Sequence, residues 1–302
     1  MTTTMIKYAL LLLIVSSLTF CSNEDDSAPT NSIALPDSTF EALLVDRGID
    51  TDGQVNGSIS KTDAQAVTSL IIDDEGLLDL TGIEAFTNLI ELDCSDNNLA
   101  NLDISKNVLL EKLDCNSNAI TTLNVDANTN LIELICENNN LTSIDLSNNT
   151  NLERLNLYNS GITTLDLSNN PNLITVSVHN NNLTALDISS NTNLEELSCN
   201  SNNITALDVS SNINLIALSC DNNRLTTLDI SANPNILRLF CRNNNLTALN
   251  IKNGNNTNFN GFFSAINNPN LTTICVDRVP PPVSISGVGA VDAGVTFTTT
   301  CN

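Results

Sequence analysis

Two sets of aspartates in the chain have spacings that could bind a divalent cation. The first set repeats at every twenty-first position, with Asn124 and Asn250 filling its gaps. Its members are Asp103, Asp145, Asp166, Asp187, Asp208 and Asp229. If each step adds one strand to a sheet, neighbouring carboxylates lie about 4.8 Å apart and repel by roughly 1 kcal/mol per pair. Bound calcium, or hydrogen bonds from the serine that follows each aspartate, would compensate this repulsion.

The second set is the segment Asp50-Thr51-Asp52-Gly53, which has the DxDG spacing found in calcium loops. The full EF-hand pattern also needs an acidic first ligand and a glutamate at the twelfth place. Those places hold Gly48 and Ile59. A simple Asp/Gly turn is therefore favoured over a metal site at Asp50 and Asp52.

Residue types for hydrolysis are sparse. The single histidine is His179, and no serine stands in a GxSxG elbow. Adjacent acids such as Glu195 and Glu196 point to opposite faces of a strand, so they cannot flank one bond. We therefore expect no enzymatic activity and no cofactor other than calcium.

Composition narrows the class of partner. The 302 residues include 11 basic and 34 acidic side chains, which give a formal net charge of -23. Such a charge repels nucleic acid, so a nucleic-acid partner is excluded. With no Trp and two Tyr, the core must be aliphatic and thin, which suits a stack of narrow layers.

The segment 1–20 has the layout of a secretory signal peptide. Lys7 precedes an apolar run, 8–18, that is too short to span a membrane. Leu18-Thr19-Phe20-Cys21 then resembles the lipobox of bacterial lipoproteins, which implies a diacylated Cys21 and a membrane anchor. The acidic run 22–26 resembles the signal that exports Bacteroidetes lipoproteins to the outer face of the outer membrane; a solvated linker is the alternative. Residues 21–35 are predicted to be an unfolded acidic tether.

A strictly periodic repeat occupies most of the remaining chain. The block Leu89-Ile90-Glu91-Leu92-Asp93-Cys94 recurs at every twenty-first position through Cys241 without a slip. Each unit reads LxxLxCxxNxLTxLDISxN, which resembles the leucine-rich repeat, and in particular the internalin-like repeat proteins of Bacteroidetes surfaces. The resemblance implies a leucine-rich-repeat β-solenoid in which each repeat adds one parallel strand to the stack. One coil buries only a few aliphatics worth about 1.5–3 kcal/mol each, so the stack must fold as a unit.

The repeat also fixes the remaining boundaries. Residues 36–66 are predicted to form a helical N-terminal cap, with an amphipathic helix around Phe40 to Leu44. The repeats occupy 67–277, with an insertion at 253–268 and a last partial coil from Leu271 to Val276. Residues 278–302 form the C-terminal cap. An inward asparagine in most coils is expected to satisfy backbone groups of its own coil and the neighbouring one.

Most of the nine cysteines follow the repeat. Six of them share a position with Leu157 and Val178, so we interpret them as small buried hydrophobes: Cys94, Cys115, Cys136, Cys199, Cys220 and Cys241. A metal ladder is the alternative, but the column lacks clustered CxxC spacing. Apart from Cys21, only Cys275 and Cys301 are then unassigned, and we predict a disulfide between them.

The outward strand positions carry two groups of large side chains. Arg154, Tyr158 and His179 are on adjacent coils, while Arg238, Phe240 and Arg242 share one coil. Exposed aromatics with arginine often anchor interfaces, so these six are the candidate ligand-binding residues; the alternative is that scattered exposed aromatics have no role. The preferred hypothesis is a monomeric adhesion module at the cell surface for a protein or glycan. A structural or calcium-binding envelope protein is the second hypothesis.

Overall fold

The computed structural model describes residues 31–259, 261–287 and 289–301. The signal peptide, Cys21 and most of the acidic tether lie outside these residues. Within them, no helix combines the length and the apolar character that crossing a bilayer requires.

The N-terminal part consists of two short helices and a two-stranded sheet. Strands β1 (Ser32–Ala34) and β2 (Ser58–Ser60) pair antiparallel, with Ile33 opposite Ile59. Helices α1 (Ser38–Asp46) and α2 (Lys61–Ala66) begin at side-chain caps, since Asp37 accepts from two N–H groups of α1 and Ser60 from one of α2.

The end of the expected tether differs from the prediction. Ser32–Ala34 is a strand, and Leu35 after it is 1% exposed. Leu35 packs so closely on Gly82 that a Cβ there would lie 2.5 Å from its Cδ2. Two apolar residues in a polar segment give no periodic signal, so the sequence alone placed this boundary too late.

The predicted solenoid is confirmed by a long parallel sheet of ten strands. In chain order they are β3 (Ser69–Ile71), β4 (Glu91–Asp93), β5 (Lys112–Asp114), β6 (Glu133–Ile135), β7 (Arg154–Asn156), β8 (Thr175–Ser177), β9 (Glu196–Ser198), β10 (Ala217–Ser219), β12 (Arg238–Phe240) and β14 (Phe263–Ser264). Successive strands from β4 to β10 are stacked about 21 residues apart in the chain, which is the period of the repeat.

A second parallel sheet covers the C-terminal coils. It consists of β11 (Thr227–Asp229), β13 (Ala248–Asn250), β15 (Thr273–Cys275) and β16 (Thr296–Thr298). A short helix, α3 (Val283–Ser286), lies between the last two strands, and single 3-10 turns occur at Ile83–Ala85 and Asn256–Asn258. The core is the continuous aliphatic column between the faces of the coils.

The register at the C-terminal end also differs from the prediction. Strand β14 belongs to the segment 253–268 and extends the long sheet beside β12. The segment Leu271 to Val276 instead continues the second sheet, because Cys275 pairs with Asn250. Two features hid this register from the sequence pattern. The connection between β12 and β14 is longer than in the regular repeats, and the inward residue is Phe263 instead of leucine.

Two rows of asparagine hold the coils together. The inward row was expected: Asn139 Nδ2 donates to Cys115 O of the preceding coil at 2.9 Å, and its Oδ1 accepts from Ile120 N at 3.0 Å. A second row was not singled out from the sequence, although all its members are fully buried. It comprises Asn107, Asn128, Asn149, Asn170, Asn191, Asn212 and Asn233. Each donates Nδ2 to two backbone carbonyls.

Candidate functional site

The candidate site lies on the outward side chains of the long sheet, which we call the strand face. Each strand points its middle residue inward and its first and third residues outward, as in β7, where Leu155 is buried between Arg154 and Asn156. Parallel pairing in register stacks equivalent residues of successive coils into columns. The strand face therefore places side chains from the same position of successive repeats beside one another.

Tyr158 and His179 form a stacked pair on this face. Their ring centroids are 4.1 Å apart and their planes differ by 17°. Both side chains are half-buried. The sequence placed these residues on adjacent coils, and the structure brings their rings into contact.

Ser177 fixes the orientation of the histidine ring. Its hydroxyl lies 2.9 Å from His179 Nδ1, two residues away on the same face. Burial lowers the pKa of His179 below its ordinary value of 6.5, although the carboxylate of Glu137 opposes this shift. The described structure shows no hydrogen bond from this ring to a carboxylate, so Ser177 and His179 act here as a positioned stacking surface.

Arg154 stands apart from this stack. Its guanidinium forms an ion pair with Glu133 on the preceding coil at 3.1 Å. That hydrogen bond and the charge of Glu133 raise the pKa of Arg154. Tyr158 and His179 therefore form a ring pair to which Arg154 contributes no observed contact.

In the second predicted group, on the coil of β12, both arginines form ion pairs with acidic residues. Arg238 reaches across the small Ala217 to Glu196, two coils away, at 2.6 Å. Arg242 donates Nε and Nη2 to the buried carboxylate of Asp221 at 2.8 and 2.6 Å. Its guanidinium carbon also lies 5.4 Å from the centre of the Phe240 ring.

A shallow depression of about 280 Å³ lies on the strand face and extends from β8 to the coil of β12. Its floor is made of short side chains on successive coils, and Arg238 and Phe240 stand at one end. The lining residues are Thr175, Val176, Ser177, Glu196, Leu197, Ser198, Ala217, Leu218, Ser219, Arg238 and Phe240. Ser177, whose hydroxyl contacts His179, lines the depression, whereas Tyr158, His179 and Arg242 are not among its lining residues.

Sequence reasoning missed Phe262. Its carbonyl accepts from Leu239 N, and β14 continues the long sheet from the next residue, so Phe262 lies beside Arg238. The side chain is 52% exposed. The pair Phe262-Phe263 has one exposed and one buried ring, as expected for adjacent residues of a strand, but the assignment of 253–268 as an insertion concealed this signal.

The repeated aspartates lie on another side of the coil, shortly before a turn, and Asp229 is the last residue of β11. Each accepts a hydrogen bond from the backbone N–H of the serine two residues later at 2.8–3.0 Å. The backbone and hydroxyl of that serine lower the pKa of Asp103, Asp145 and Asp187. Serine hydrogen bonds thus compensate the column of carboxylates, whereas calcium there stays a prediction.

The aspartates of the N-terminal loop have different surroundings. Asp50 is 2% exposed, and its Oδ2 has no hydrogen-bond partner. Asp52 is exposed and accepts from Gln54 N at 2.7 Å and Asn56 Nδ2 at 2.8 Å. The two predicted ligands are therefore close in the chain but differ sharply in burial.

The cysteines fall into two groups. The six repeat cysteines are free thiols and are fully buried in the core. Burial raises the pKa of Cys199 to about 12. Cys275 and Cys301 are joined by a disulfide, with their Cα atoms 5.6 Å apart.

Comparison with solved structures identifies the fold. The functional domain of InlJ from Listeria monocytogenes, described as including a cysteine ladder, is 30% identical and superposes with a TM-score of 0.68. That match covers 88% of this chain and 61% of the InlJ chain. An internalin C2 from the same organism is 17% identical with a TM-score of 0.51, and the match covers 89% of this chain and 98% of that one.

These likenesses show a leucine-rich-repeat solenoid with internalin-like structural neighbours. This chain spans 61% of the length of the InlJ chain that it matches. No protein-family model and no curated protein matched the sequence.

Proposed function

We propose that this protein is a lipid-anchored binding or adhesion module at the cell surface, which recognises a protein or glycan through its strand face. The observation that carries the proposal is the shallow depression on the strand face, which has Arg238 and Phe240 at one end and includes Ser177, the hydrogen-bond partner of the stacked His179. Leucine-rich-repeat internalins are typically binding or adhesion proteins rather than enzymes, which supports this proposal.

The surface is organised before a ligand arrives. Ser177 orients His179 against Tyr158, while Glu196 and Asp221 hold the arginines on either side of Phe240. Side chains that are already ordered lose little conformational entropy on binding. Aromatic and arginine side chains also contribute most to typical interfaces. The strand face therefore has side chains of the types that bind partners, and these side chains would lose little conformational entropy on binding.

The short side chains of the depression define the shape of the ligand. Ser198, Ala217 and Ser219 leave room for an extended molecule to lie across three or four coils. The Phe240 ring at one end of the depression, and the stacked Tyr158 and His179 rings beyond Ser177, can stack on sugar rings or on planar peptide groups. We propose that the ligand lies along the depression, contacts Phe240 at one end and extends past Ser177 to the His179 ring.

The proposal is tested by binding with single variants of the mature chain. Tyr158→Ala and Phe240→Ala should each reduce binding to glycan and protein arrays by about tenfold or more, as expected for interface anchors. Thermal melting should be nearly unchanged, because both side chains protrude from the sheet. Ile213→Ala provides a control, since Ile213 is 54% exposed and lies outside the strand face. Unchanged binding by both aromatic variants would refute the proposed surface.

The anchor is a separate part of the proposal. Cys21 lies outside the described residues. We propose that it carries the lipid, because Leu18-Thr19-Phe20-Cys21 resembles a lipobox. Cys21→Ser should move the protein from the membrane fraction to the soluble fraction, and protease treatment of intact cells should remove the wild-type protein from the outer face. If Cys21→Ser leaves the protein in the membrane fraction, the proposed lipid anchor is wrong, whereas the proposal that the strand face binds a ligand is unaffected.

A further inference from the structure

The loop between α1 and β2 gathers acidic side chains that the strand face does not use. Thr51 stands between Asp50 and Asp52, and both its N–H and its hydroxyl donate to the carboxylate of Asp63, at 3.3 Å and 3.0–3.1 Å. Asp63 is in the first turn of α2. These bonds join the loop that carries Asp50 and Asp52 to the start of the helix that carries Asp63.

Glu41 holds this loop in position from α1. Its carboxylate is 1% exposed and accepts from the backbone N–H groups of Asn56, Gly57 and Ser58 at 2.7–3.0 Å. These three bonds satisfy Glu41 and fix the second half of the loop. Glu41 is therefore an anchor of the loop.

Asp50 is the side chain that the loop leaves unsatisfied. Its Oδ2 is buried without a hydrogen-bond partner, and Oδ1 accepts only a long bond of 3.4 Å from Asp52 N. The carboxylates of Asp52, Asp63 and Glu41 lie near enough to interact with that of Asp50 electrostatically. None of the ion pairs in the described part of the chain involves these acids. A buried carboxylate among other carboxylates requires a cation or a proton.

The spacing of the loop matches a calcium loop when it is counted from Asp52. Counted in this way, Gln54 and Asn56 take the third and fifth places, and Asp63 takes the twelfth. Gly57 is then the sixth residue, where the pattern requires a sharp turn, and it has φ of +87°. When Gly53 is placed at that turn, the first and twelfth places fall on Gly48 and Ile59, which have no carboxylate.

We infer that this loop binds one calcium ion through the carboxylates of Asp50, Asp52 and Asp63, with the side-chain oxygens of Gln54 and Asn56 as neutral ligands. In the present side-chain positions, no three acidic, thiol or imidazole groups of the described residues converge on one point. Binding would require the Asp63 carboxylate to exchange its hydrogen bonds from Thr51 for the ion. A set of carboxylate and amide oxygens on an irregular loop suits calcium, whereas magnesium requires near-octahedral geometry and retains its water.

The ion would connect the loop after α1 to the first turn of α2. Both helices belong to the part of the chain that covers the first coil, where Leu35 and Phe40 are buried in the common core. Calcium would therefore stabilise the covered end of the solenoid. This site is independent of the proposed strand face.

Calorimetric titration of the chelator-treated full chain with calcium tests the inference. We expect one saturable site and a rise in melting temperature on binding. Asp50→Asn and Asp63→Asn should each weaken calcium binding by about tenfold or more, because affinity follows the number of charged ligands. Asp50→Asn should also fold at least as stably as the wild type without calcium, since the amide removes a buried charge while keeping its shape.

The matched control is Asp145→Asn, which removes a carboxylate from the repeat column and should leave calcium binding unchanged. Sodium and magnesium at equal ionic strength control for screening of the net charge. The inference is overturned if no saturable calcium binding occurs, if magnesium has the same effect as calcium, or if Asp145→Asn removes the binding while Asp50→Asn retains it.

Discussion

The stacked rings of Tyr158 and His179 show how a repeat turns sequence spacing into a contact. Residues at the same position of successive repeats become neighbours because each coil adds one strand in register. Ser177 then fixes the plane of the imidazole. The contact between the two rings therefore follows from the register of the strands, and the hydrogen bond between Ser177 and His179 orients the imidazole.

We predict that the pKa of His179 lies below 6.5, because the half-buried ring disfavours the charged form. Since folding lowers this pKa, the neutral ring is the stable form in the stack. Its contribution to stability is full above the ordinary pKa and declines as the pH falls. Nuclear magnetic resonance of the single histidine measures the value directly.

Tyr158→Ala provides the matched variant for this measurement. Removing the phenol ring exposes the imidazole, so the pKa of His179 should rise toward its ordinary value. If the titration of His179 is the same in both proteins, burial beneath Tyr158 is not the cause of the shift.

At the scale of the residue, the sequence predicted which residues share a position in successive coils better than it predicted which side chains touch. The period placed Tyr158 beside His179 and the buried cysteines beside Leu157 and Val178. It could not show that Arg238 passes over Ala217 to Glu196, because this contact depends on side-chain reach over a small neighbour. Nor could it show that Asp50 is buried, because the N-terminal loop belongs to no repeat.

At the scale of the element, each turn after a strand needs one residue in the left-handed conformation. Asn138, Asn159, Asn180, Asn222 and Asn243 take this position with φ between 50° and 57°. Asparagine tolerates this region better than most residues. Its side chain also links successive coils, as Asn180 Nδ2 does by donating to Asn159 Oδ1 at 2.6 Å.

Ser201 interrupts this row with φ of 53°, between Asn180 and Asn222. We predict that Ser201→Asn stabilises the protein by about 0.5–1 kcal/mol, because it suits the conformation and extends the ladder of amides. Ser201→Ala should have the opposite effect, since alanine lacks the polar side chain. Urea unfolding of the two variants measures the difference, and equal stability would contradict this account.

We expect each residue of the fully buried asparagine row to contribute more to the free energy of unfolding than a residue of the left-handed turns does. Asn149 Nδ2 donates to Val125 O at 3.0 Å and to Asn128 O at 2.9 Å. We predict that Asn149→Ala lowers the free energy of unfolding by about 2–5 kcal/mol, because two buried carbonyls lose their donor. Urea unfolding measures the loss.

Asn151→Ala is the control for this variant. Asn151 donates the same amide to Thr129 O at 3.1 Å, but it is exposed, so water can replace the bond. Its loss should cost less than about 1 kcal/mol. Equal losses at the two positions would show that burial does not determine the contribution of these amides.

The boundaries of elements were the weakest part of the sequence prediction. A strict period locates β4 to β10, because every coil repeats an inward aliphatic residue, which is Val176 in β8 and leucine in the others. It fails at β1, where pairing with β2 comes from distant residues, and at β14, where Phe263 replaces leucine after a longer connection. The missed Phe262 follows from that failure, so a site residue was lost through an error of register.

At the scale of the whole molecule, the solenoid depends on contacts between neighbouring coils. Each coil touches mainly the coils beside it, so stability is close to a sum of local terms. The net charge of -23 opposes compaction along the whole stack. The ends are consequently the places where a single covalent bond or a bound ion has the largest local effect.

The disulfide between Cys275 and Cys301 ties the last strands together, because it closes a loop between positions 26 residues apart across β15 and β16. We predict that Cys301→Ala destabilises this end by about 3 kcal/mol in the chain-entropy picture. Hydrogen exchange should show faster opening of β13, β15 and β16, while β4 to β8 keep their protection. A reductant should reproduce this pattern in the wild type and add nothing in Cys301→Ala, because the six repeat thiols are already free. Uniform loss of protection along the long sheet would instead mean that the disulfide stabilises the solenoid as one cooperative unit.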